Sequence, residues 1–362
     1  MARFQILSLV GGGIRGSFVT SFLKELEQKA GHKLGEHFDL IAGTSTGGII
    51  AAGLAAGRSA EELHDFYVKY GEQIFTPRDP HQPKGWLKAV FPLANRLWQR
   101  FTGQSLDPYF QSRYCPHVLY EAFDLGFGQS TLADVNRTRL IIPTMNLTKG
   151  RPHVFRSAHL AEALPDQDIS ISDVLVATTA APTYFPHKEI KGEIFADGGL
   201  WAADPSPLAL AEAVRVRRDC ERGECEPTHE LTDVHLLSVG TGEANFSLNP
   251  PGSDAGILYW ARHAADTMGI AQTSGVHESM KFWLGNRYRN VNFTMDEKFA
   301  LDDASRMPDL FELGRVEANR VGDEIHAEFL QHKRKQFLPH TKSSCTATQL
   351  GNRELAGCRN VA

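Results

Sequence analysis

The chain has few cysteines, no long apolar run and no excess of positive charge, and each shortage removes a class of protein. Five cysteines among 362 residues are too few for a disulfide scaffold, and the odd number leaves at least one thiol unpaired. Reduced thiols in a cytosol are the expectation. Cys220, Cys225 and His229 fall close together in a charged stretch, but the spacing matches no strong zinc pattern and no fourth ligand is evident, so a surface loop is expected and no metal. No stretch reaches the ~20 apolar residues of a spanning helix. Met1-Ala2-Arg3-Phe4 runs straight into a short strand-like segment, without the apolar region and cleavage site of a secretory signal. A formal net charge of -5 argues against wholesale DNA or RNA binding, which draws on a strongly basic domain or stripe.

What is present is glycine at the ends of short apolar runs. Residues 4–10 form such a run, and after the glycines Phe18, Phe22, Leu23 and Leu26 recur at helical spacing until Gly31 stops the helix. Residues 38–42 read as a second buried strand, followed by another glycine-bounded turn and a small-residue helix over 49–56 closed by Gly57. Further strands are expected at 140–144, 154–156, 193–196 and 234–239. This alternation predicts an α/β fold, a largely parallel sheet covered by helices on both faces, with sites at the carboxyl ends of the strands. Length alone, at roughly 150 residues per domain, suggests two domains. No repeat or low-complexity linker interrupts the chain, however, so one elaborated domain over 1–340 is expected, with a poorly ordered tail at 341–362 rich in Ser, Thr, Asn and Gly.

Gly11-Gly12-Gly13-Ile14-Arg15-Gly16 satisfies G-x-G-x-x-G between a strand and a helix. The glycines let the backbone approach an anion, and the helix start aims N–H groups and a positive dipole end at it. A dinucleotide site would use this device, with Glu36 or Asp39 near the distance expected of a ribose-binding acid. An oxyanion hole would use it equally. The second turn decides between them. Gly43-Thr44-Ser45-Thr46-Gly47 matches G-x-S-x-G between strand and helix, the setting in which flanking glycines allow a sharp turn that exposes a serine hydroxyl. The bland alternative is a helix-starting turn with Ser45 or Thr46 as N-cap. A serine nucleophile needs a base. His229, His235, His263 and His277 follow in the order of an α/β-hydrolase triad, without a distinguishing context. Asp197, in Phe195-Ala196-Asp197-Gly198-Gly199, ends an apolar run beside glycines that allow close approach, and a partly desolvated carboxylate is a sufficient base.

These three motifs in this order, with Ala181-Pro182-Thr183-Tyr184-Phe185-Pro186 shortly before Asp197, resemble the patatin-like phospholipase family from about residue 4 to residue 242. The resemblance implies a three-layer α/β/α fold and a Ser–Asp dyad working without histidine, Ca²⁺ or any cofactor. Ser45 would attack the acyl ester and Asp197 would take its proton. Gly11, Gly12, Gly13, Arg15 and Gly16 would form the oxyanion loop, Gly43 and Gly47 would flank the elbow, and Gly198 and Gly199 would complete the aspartate motif. The family usually carries Asp or a small polar residue where Val10 stands here, a departure that bears on support of the loop rather than on the dyad.

Between Asp79 and Asp107 no acidic residue occurs, while Lys84, Lys88, Arg96 and Arg100 alternate with Trp86, Phe91, Trp98 and Phe101. Such a stretch suits a bilayer interface, and residues 78–110 read either as a lid or membrane-facing insertion or as a cap whose aromatics pack on the core. Pro92 predicts a break in any helix here. Residues 256–313 resemble bacterial patatin-like enzymes that include phospholipase effectors of cyclic-oligonucleotide anti-phage systems. That resemblance implies a cytoplasmic enzyme that a cyclic dinucleotide activates and that then meets phospholipid at the inner face of the membrane. Arg287-Tyr288-Arg289 would offer phosphate contacts and base stacking, against the plainer reading of an exposed basic stretch. Whether the chain forms a homo-oligomer is not legible in its residues.

Overall fold

Every residue of the first strand, β1 (Phe4–Leu9), is buried, so both faces of the sheet it enters must be covered. The computed structural model describes residues 3–79, 87–102, 111–221, 231–245, 255–295, 299–334, 337 and 339. After β1 come α1 (Gly16–Ala30), β2 (Leu40–Gly43), α2 (Thr46–Ala55), α3 (Ala60–Ile74), α4 (Leu87–Thr102) and α5 (His117–Phe127). The middle of the chain forms β3 (Arg139–Asn146), β4 (Arg151–Arg156), α6 (Ile171–Thr178), β5 (Lys188–Ile190), β6 (Glu193–Asp197), α7 (Gly199–Ala202) and α8 (Ser206–Glu221). Last come β7 (Val234–Val239), β8 (Glu243–Ala244), α9 (Ile257–Leu284), β9 (Tyr288–Val291), β10 (Thr294–Met295) and α10 (Met307–Phe329).

Among the described residues the main sheet has eight strands, in the order β5-β6-β3-β2-β1-β7-β9 with β4 also on β3. Five of them, β1, β2, β3, β7 and β9, are parallel. Side chains alternate across this parallel core. Leu7, Leu9, Ile41 and Leu237 pack with Phe18 and Phe22 of α1, Ile50 of α2 and Phe329 of α10, whereas Phe4, Ile6, Leu40 and Leu236 pack with Ala209 and Ala213 of α8 and Met280 of α9. Period-two alternation therefore produces the three-layer α/β/α arrangement.

The antiparallel strands position the site. β4 pairs with β3 across residues 141–146, so β2 and β6 must share the opposite edge of β3. β2 occupies its first part, Ala42 opposite Ile141, and β6 its last part, Asp197 opposite Thr144. The two strands run in opposite directions along that edge. Their carboxyl ends, Gly43 and Asp197, consequently face each other across Ile142 and Pro143.

The break predicted at Pro92 does not occur: residues 87–102 form one helix with Pro92 inside it. Pro92 is the sixth residue of α4, so its missing N–H forfeits a single bond, at an exposed position near the start of the helix. The aromatics of this segment divide between the two readings, since Phe91 is buried while Trp98 is 39% exposed. Lys84 and Trp86, and the side chains of Lys88 and Phe101, lie outside the described residues. So do residues 341–362, Cys225 and His229, and of Cys220 only the backbone, in α8, is described.

Helices α1 and α10 cross closely because Gly314 meets the backbone of Phe18 and Phe22, where a Cβ would collide, while Ser21 Oγ donates to the Phe311 carbonyl at 2.6 Å. Gly314→Val is expected to lower stability by about 1–3 kcal/mol in urea unfolding. An unchanged midpoint would contradict so close a crossing.

Candidate active site

Steric crowding sets the turn after β2. A Cβ on Gly43 would strike the Gly47 carbonyl, and one on Gly47 would strike the Leu9 carbonyl of β1, so both positions require glycine. Between them Ser45 takes φ 54° and ψ -123°, a conformation that costs a side-chain-bearing residue ~1–3 kcal/mol. α2 begins at the next residue, yet the Ser45 side chain makes no cap bond. Its hydroxyl instead donates to Asp197 Oδ2 at 2.7 Å, which answers the N-cap alternative for Ser45.

Asp197 arrives from the end of β6 with its backbone N–H bonded to the Ala180 carbonyl at 3.0 Å, just before Ala181-Pro182. Its Oδ1 accepts the Gly199 N–H at 2.7 Å, which leaves Oδ2 for the serine. Gly198 lies so close to the Pro143 carbonyl that a Cβ would not fit. Burial pushes the Asp197 carboxyl up to about 6, opposed by the Gly199 N–H and the Ser45 hydroxyl. Such a group is ionised at neutral pH and more basic than an exposed aspartate, as a proton acceptor should be.

Thr178, at the end of α6, was not legible as part of this site. Its buried hydroxyl accepts the Ser45 N–H at 3.0 Å and donates to the Pro143 carbonyl at 2.8 Å, tying the strained elbow to β3. Thr44 does similar work, with its hydroxyl on the Ala202 carbonyl at 2.7 Å. The only local signal was a pair of threonines, Thr178-Thr179, in an otherwise apolar run.

Trans peptide geometry turns each N–H away from the preceding carbonyl, and this orients the glycine loop. The Gly11 carbonyl accepts from Thr241 Oγ1 at 2.8 Å. The Gly12 carbonyl accepts from Arg15 twice, from Nε and from the backbone N–H, each at 3.2 Å. The N–H groups of Gly12 and Gly13 therefore point away from Thr241 and Arg15, and no acceptor among the described residues meets them. The other members of the expected oxyanion loop are engaged: Gly11 N–H on the Ala203 carbonyl, Arg15 N–H on Gly12, and Gly16 N–H on Gly13 and Ile14. The cradle thus narrows to Gly12 and Gly13. Gly16 is glycine because Thr46 and Tyr67 leave no room for a Cβ, and Arg15, lowered by burial to about 10, stays charged as the loop's brace. Val10 uses its backbone N–H on the Val239 carbonyl at 3.1 Å, so support for the loop comes from Thr241 and Arg15 rather than from a polar side chain at position 10.

Gly12, Gly13, Ser45 and Asp197 line one cavity of about 1220 Å³, beyond the ~300–1,000 Å³ of ordinary small-molecule sites. Its walls include Ile74, Phe75, Leu119, Phe185 and Phe299, apolar surface suited to an aliphatic chain. Histidine plays no part at the serine among the described residues. His263 Nδ1 is bonded to the Tyr259 carbonyl at 2.8 Å, and His277 lies 3.3 Å from the Tyr288 hydroxyl. His235 is within β7, and burial lowers its pKa to about 4. The dinucleotide alternative fails on strand polarity, because Glu36 and Asp39 precede β2 and so lie at the opposite end of the sheet from the glycine loop. Nor is Arg287-Tyr288-Arg289 an exposed basic stretch: Tyr288 is buried in β9, Arg287 donates to the Thr232 carbonyl at 2.7 Å, and Arg289 pairs with Glu324 and Glu328.

The sequence matches the family profile described as patatin-like phospholipase over residues 7–211. Three curated bacterial relatives, each named cGAMP-activated phospholipase, are similar to it. The protein from Vibrio cholerae is 38% identical over 257 residues, covering 68% of this chain and 67% of its own. One from Escherichia coli is 36% identical, covering 68% and 65%, and one from Pseudomonas aeruginosa is 32% identical, covering 83% and 80%. The chain therefore spans about two thirds of the length of the first two relatives.

Two measurements follow from the geometry. Because Asp197 accepts a proton only as the carboxylate, kcat/KM for ester cleavage should rise with pH through about 6 and level off above it. A flat profile there would exclude Asp197 as the base. Thr178→Val, which keeps the shape but leaves the Ser45 N–H and Pro143 carbonyl unpaired, should cost about 1–3 kcal/mol of stability and lower kcat more than it raises KM.

Proposed function

The chain belongs to the patatin-like phospholipase family, and from that premise we propose that Ser45 and Asp197 are the nucleophile and base that cleave fatty acyl esters of membrane phospholipids. The observation that carries the reading is the 2.7 Å bond from the Ser45 hydroxyl to a buried Asp197 carboxylate. As Ser45 Oγ attacks the ester carbonyl, its proton passes to Asp197 Oδ2. The carbonyl oxygen gains negative charge, which the Gly12 and Gly13 N–H groups stabilise. Collapse of the tetrahedral intermediate expels the lysophospholipid oxygen, which takes the proton back from Asp197. Asp197 then deprotonates water to hydrolyse the acyl-serine and return the serine proton.

Contact with the bilayer would use α4. Val90, Leu93 and Leu97 are exposed on it at helical spacing, and Arg96 and Arg100 stand on the same helix without an acidic neighbour from 80 to 106, a pattern suited to lying on anionic lipid. No described helix is long and apolar enough to cross a membrane. The shared name of the three bacterial relatives supports activation by a cyclic dinucleotide and, with it, a role in anti-phage defence.

Labelling with a fluorophosphonate and fatty-acid release from phospholipid vesicles test the dyad together. Ser45→Ala should abolish both, and Asp197→Asn should lower turnover by about 10²–10⁴-fold with KM little changed. Labelling that survives Ser45→Ala would overturn the assignment.

A further inference from the structure

The carboxyl ends of the strands hold the site described above. At their amino ends lies a second cavity of about 460 Å³, lined by Lys33, Arg137, Lys333, Arg334 and a single acid, Glu36. This is a strong local excess of positive charge on a chain whose net charge is -5. Carboxylates answer only part of this charge. Lys333 approaches Glu36 at 3.3 Å, with both side chains about half exposed. Lys33 Nζ donates to the Gly57 carbonyl at 2.6 Å, and Arg334 Nε to the Gly35 carbonyl at 2.9 Å. Arg137 has no hydrogen bond or ion pair among the described residues. Burial lowers the pKa of Arg334, Asp39 and Glu36 oppose that, and the charge of Arg137 pushes it down again, so the two guanidinium groups are near enough to repel each other although carboxylates offset part of the charge. An anion between them removes that repulsion, and a phosphate ester matches the planar forks of two arginines. The exposed side chain of Asn136 also lines the cavity, offering a donor and an acceptor to a base edge.

The position of the cavity matters as much as its charge. Leu54 and Gly57, at the carboxyl end of α2, form part of its wall, and α2 starts at the residue after Ser45. Ten residues of helix, about 15 Å long, therefore run from this cavity to the strained elbow. β2 likewise begins four residues after Glu36 and ends two before Ser45, and β3 begins two residues after Arg137 and passes the elbow at Pro143.

We infer that this cavity binds a dianion built of two phosphodiester groups, the cyclic dinucleotide activator, and acts on Ser45 through α2. The inference rests on the activation reading given under the proposed function. A lipid headgroup carries the same phosphate chemistry, but the cavity is at the end of the sheet opposite the acyl cavity, which favours a soluble ligand.

The test uses the full chain and titrates it separately with cGAMP, inorganic phosphate and phosphatidylglycerol vesicles. Wild type should bind cGAMP, more weakly as NaCl is raised, and its fatty-acid release should rise with occupancy. Arg137→Ala combined with Lys333→Ala should weaken cGAMP binding about tenfold or more and shift the activation midpoint equally, while Arg137→Lys, which keeps the charge, should recover part of the loss. Activation and binding that persist unchanged in the double variant would overturn the site and leave the activation reading standing. A wild type that neither binds cGAMP nor responds to it would overturn both. Binding of phosphate or vesicles alone, lost in the double variant, would overturn the dinucleotide assignment.

Discussion

The site depends on one edge of β3 being shared by two strands that meet end to end. Parallel β2 and antiparallel β6 lie in the same hydrogen-bonding row, so the serine that follows one and the aspartate that ends the other are brought together by sheet geometry, with adjacent strands ~4.8 Å apart. Pro143 stands at the gap, and its carbonyl takes the Thr178 hydroxyl. A slip of β6 by one residue would turn the Asp197 side chain to the opposite face of the sheet. The close fit of Gly198 on Pro143 and the bond from Asp197 N–H to Ala180 hold that register.

The glycine loop is held differently, from parts of the chain far along the sequence. Thr241 turns the first peptide of the loop, the Leu301 carbonyl accepts the Ile14 N–H at 2.8 Å, and Arg15 rests against Met295 Sδ at 3.6 Å. All three lie beyond residue 211, where the family match ends. Arg15 within the motif aims one of its N–H groups, and the residues that fix the rest of the loop belong to a different stretch of the chain. Asp302 adds a further tie, accepting from the Tyr114 hydroxyl at 2.6 Å, so the segment over the loop is also anchored to the chain between α4 and α5.

Much of this was readable because glycine constraints are local. Gly43, Gly47 and the loop glycines announce tight turns, and apolar runs announce the strands before them, so Ser45 and Asp197 stood out as candidates from their neighbours, and the resemblance to the family chose Asp197 over the later histidines. Strand direction is not written in a strand's own residues, and nothing in Glu193-Ile194-Phe195-Ala196 distinguishes parallel from antiparallel entry. Thr178 and Thr241 acquire their roles only when α6 and the turn after β7 reach the other strands. The same limit explains why Gly11 could not be separated from Gly12 and Gly13, since its N–H is taken by Ala203, distant in sequence, whereas those of Arg15 and Gly16 are taken within the loop's own turn. Spacing also put Glu36 and Asp39 at a suggestive distance from the loop, while the polarity of β2 puts them at the wrong end.

Parallel strands give the sheet two unlike ends, and α2 joins them with its dipole running the same way. Its positive end faces Ser45, where charge develops, and its negative end meets Lys33 and the cationic cavity, each a favourable pairing. Side-chain hydrogen bonds hold the helix near both ends: the Ser45 N–H donates to Thr178 and the Tyr67 hydroxyl to the Thr46 carbonyl at one, and Lys33 donates to the Gly57 carbonyl at the other. Residues 47 to 55 between them are all Gly, Ala, Ile or Leu and all buried. Apolar packing of that kind resists removal from the core, but it fixes position along the helix axis less firmly than directional bonds do. Lys33 is thus the polar anchor at the cavity end of the helix, while Thr178 and Tyr67 hold the end that carries the nucleophile.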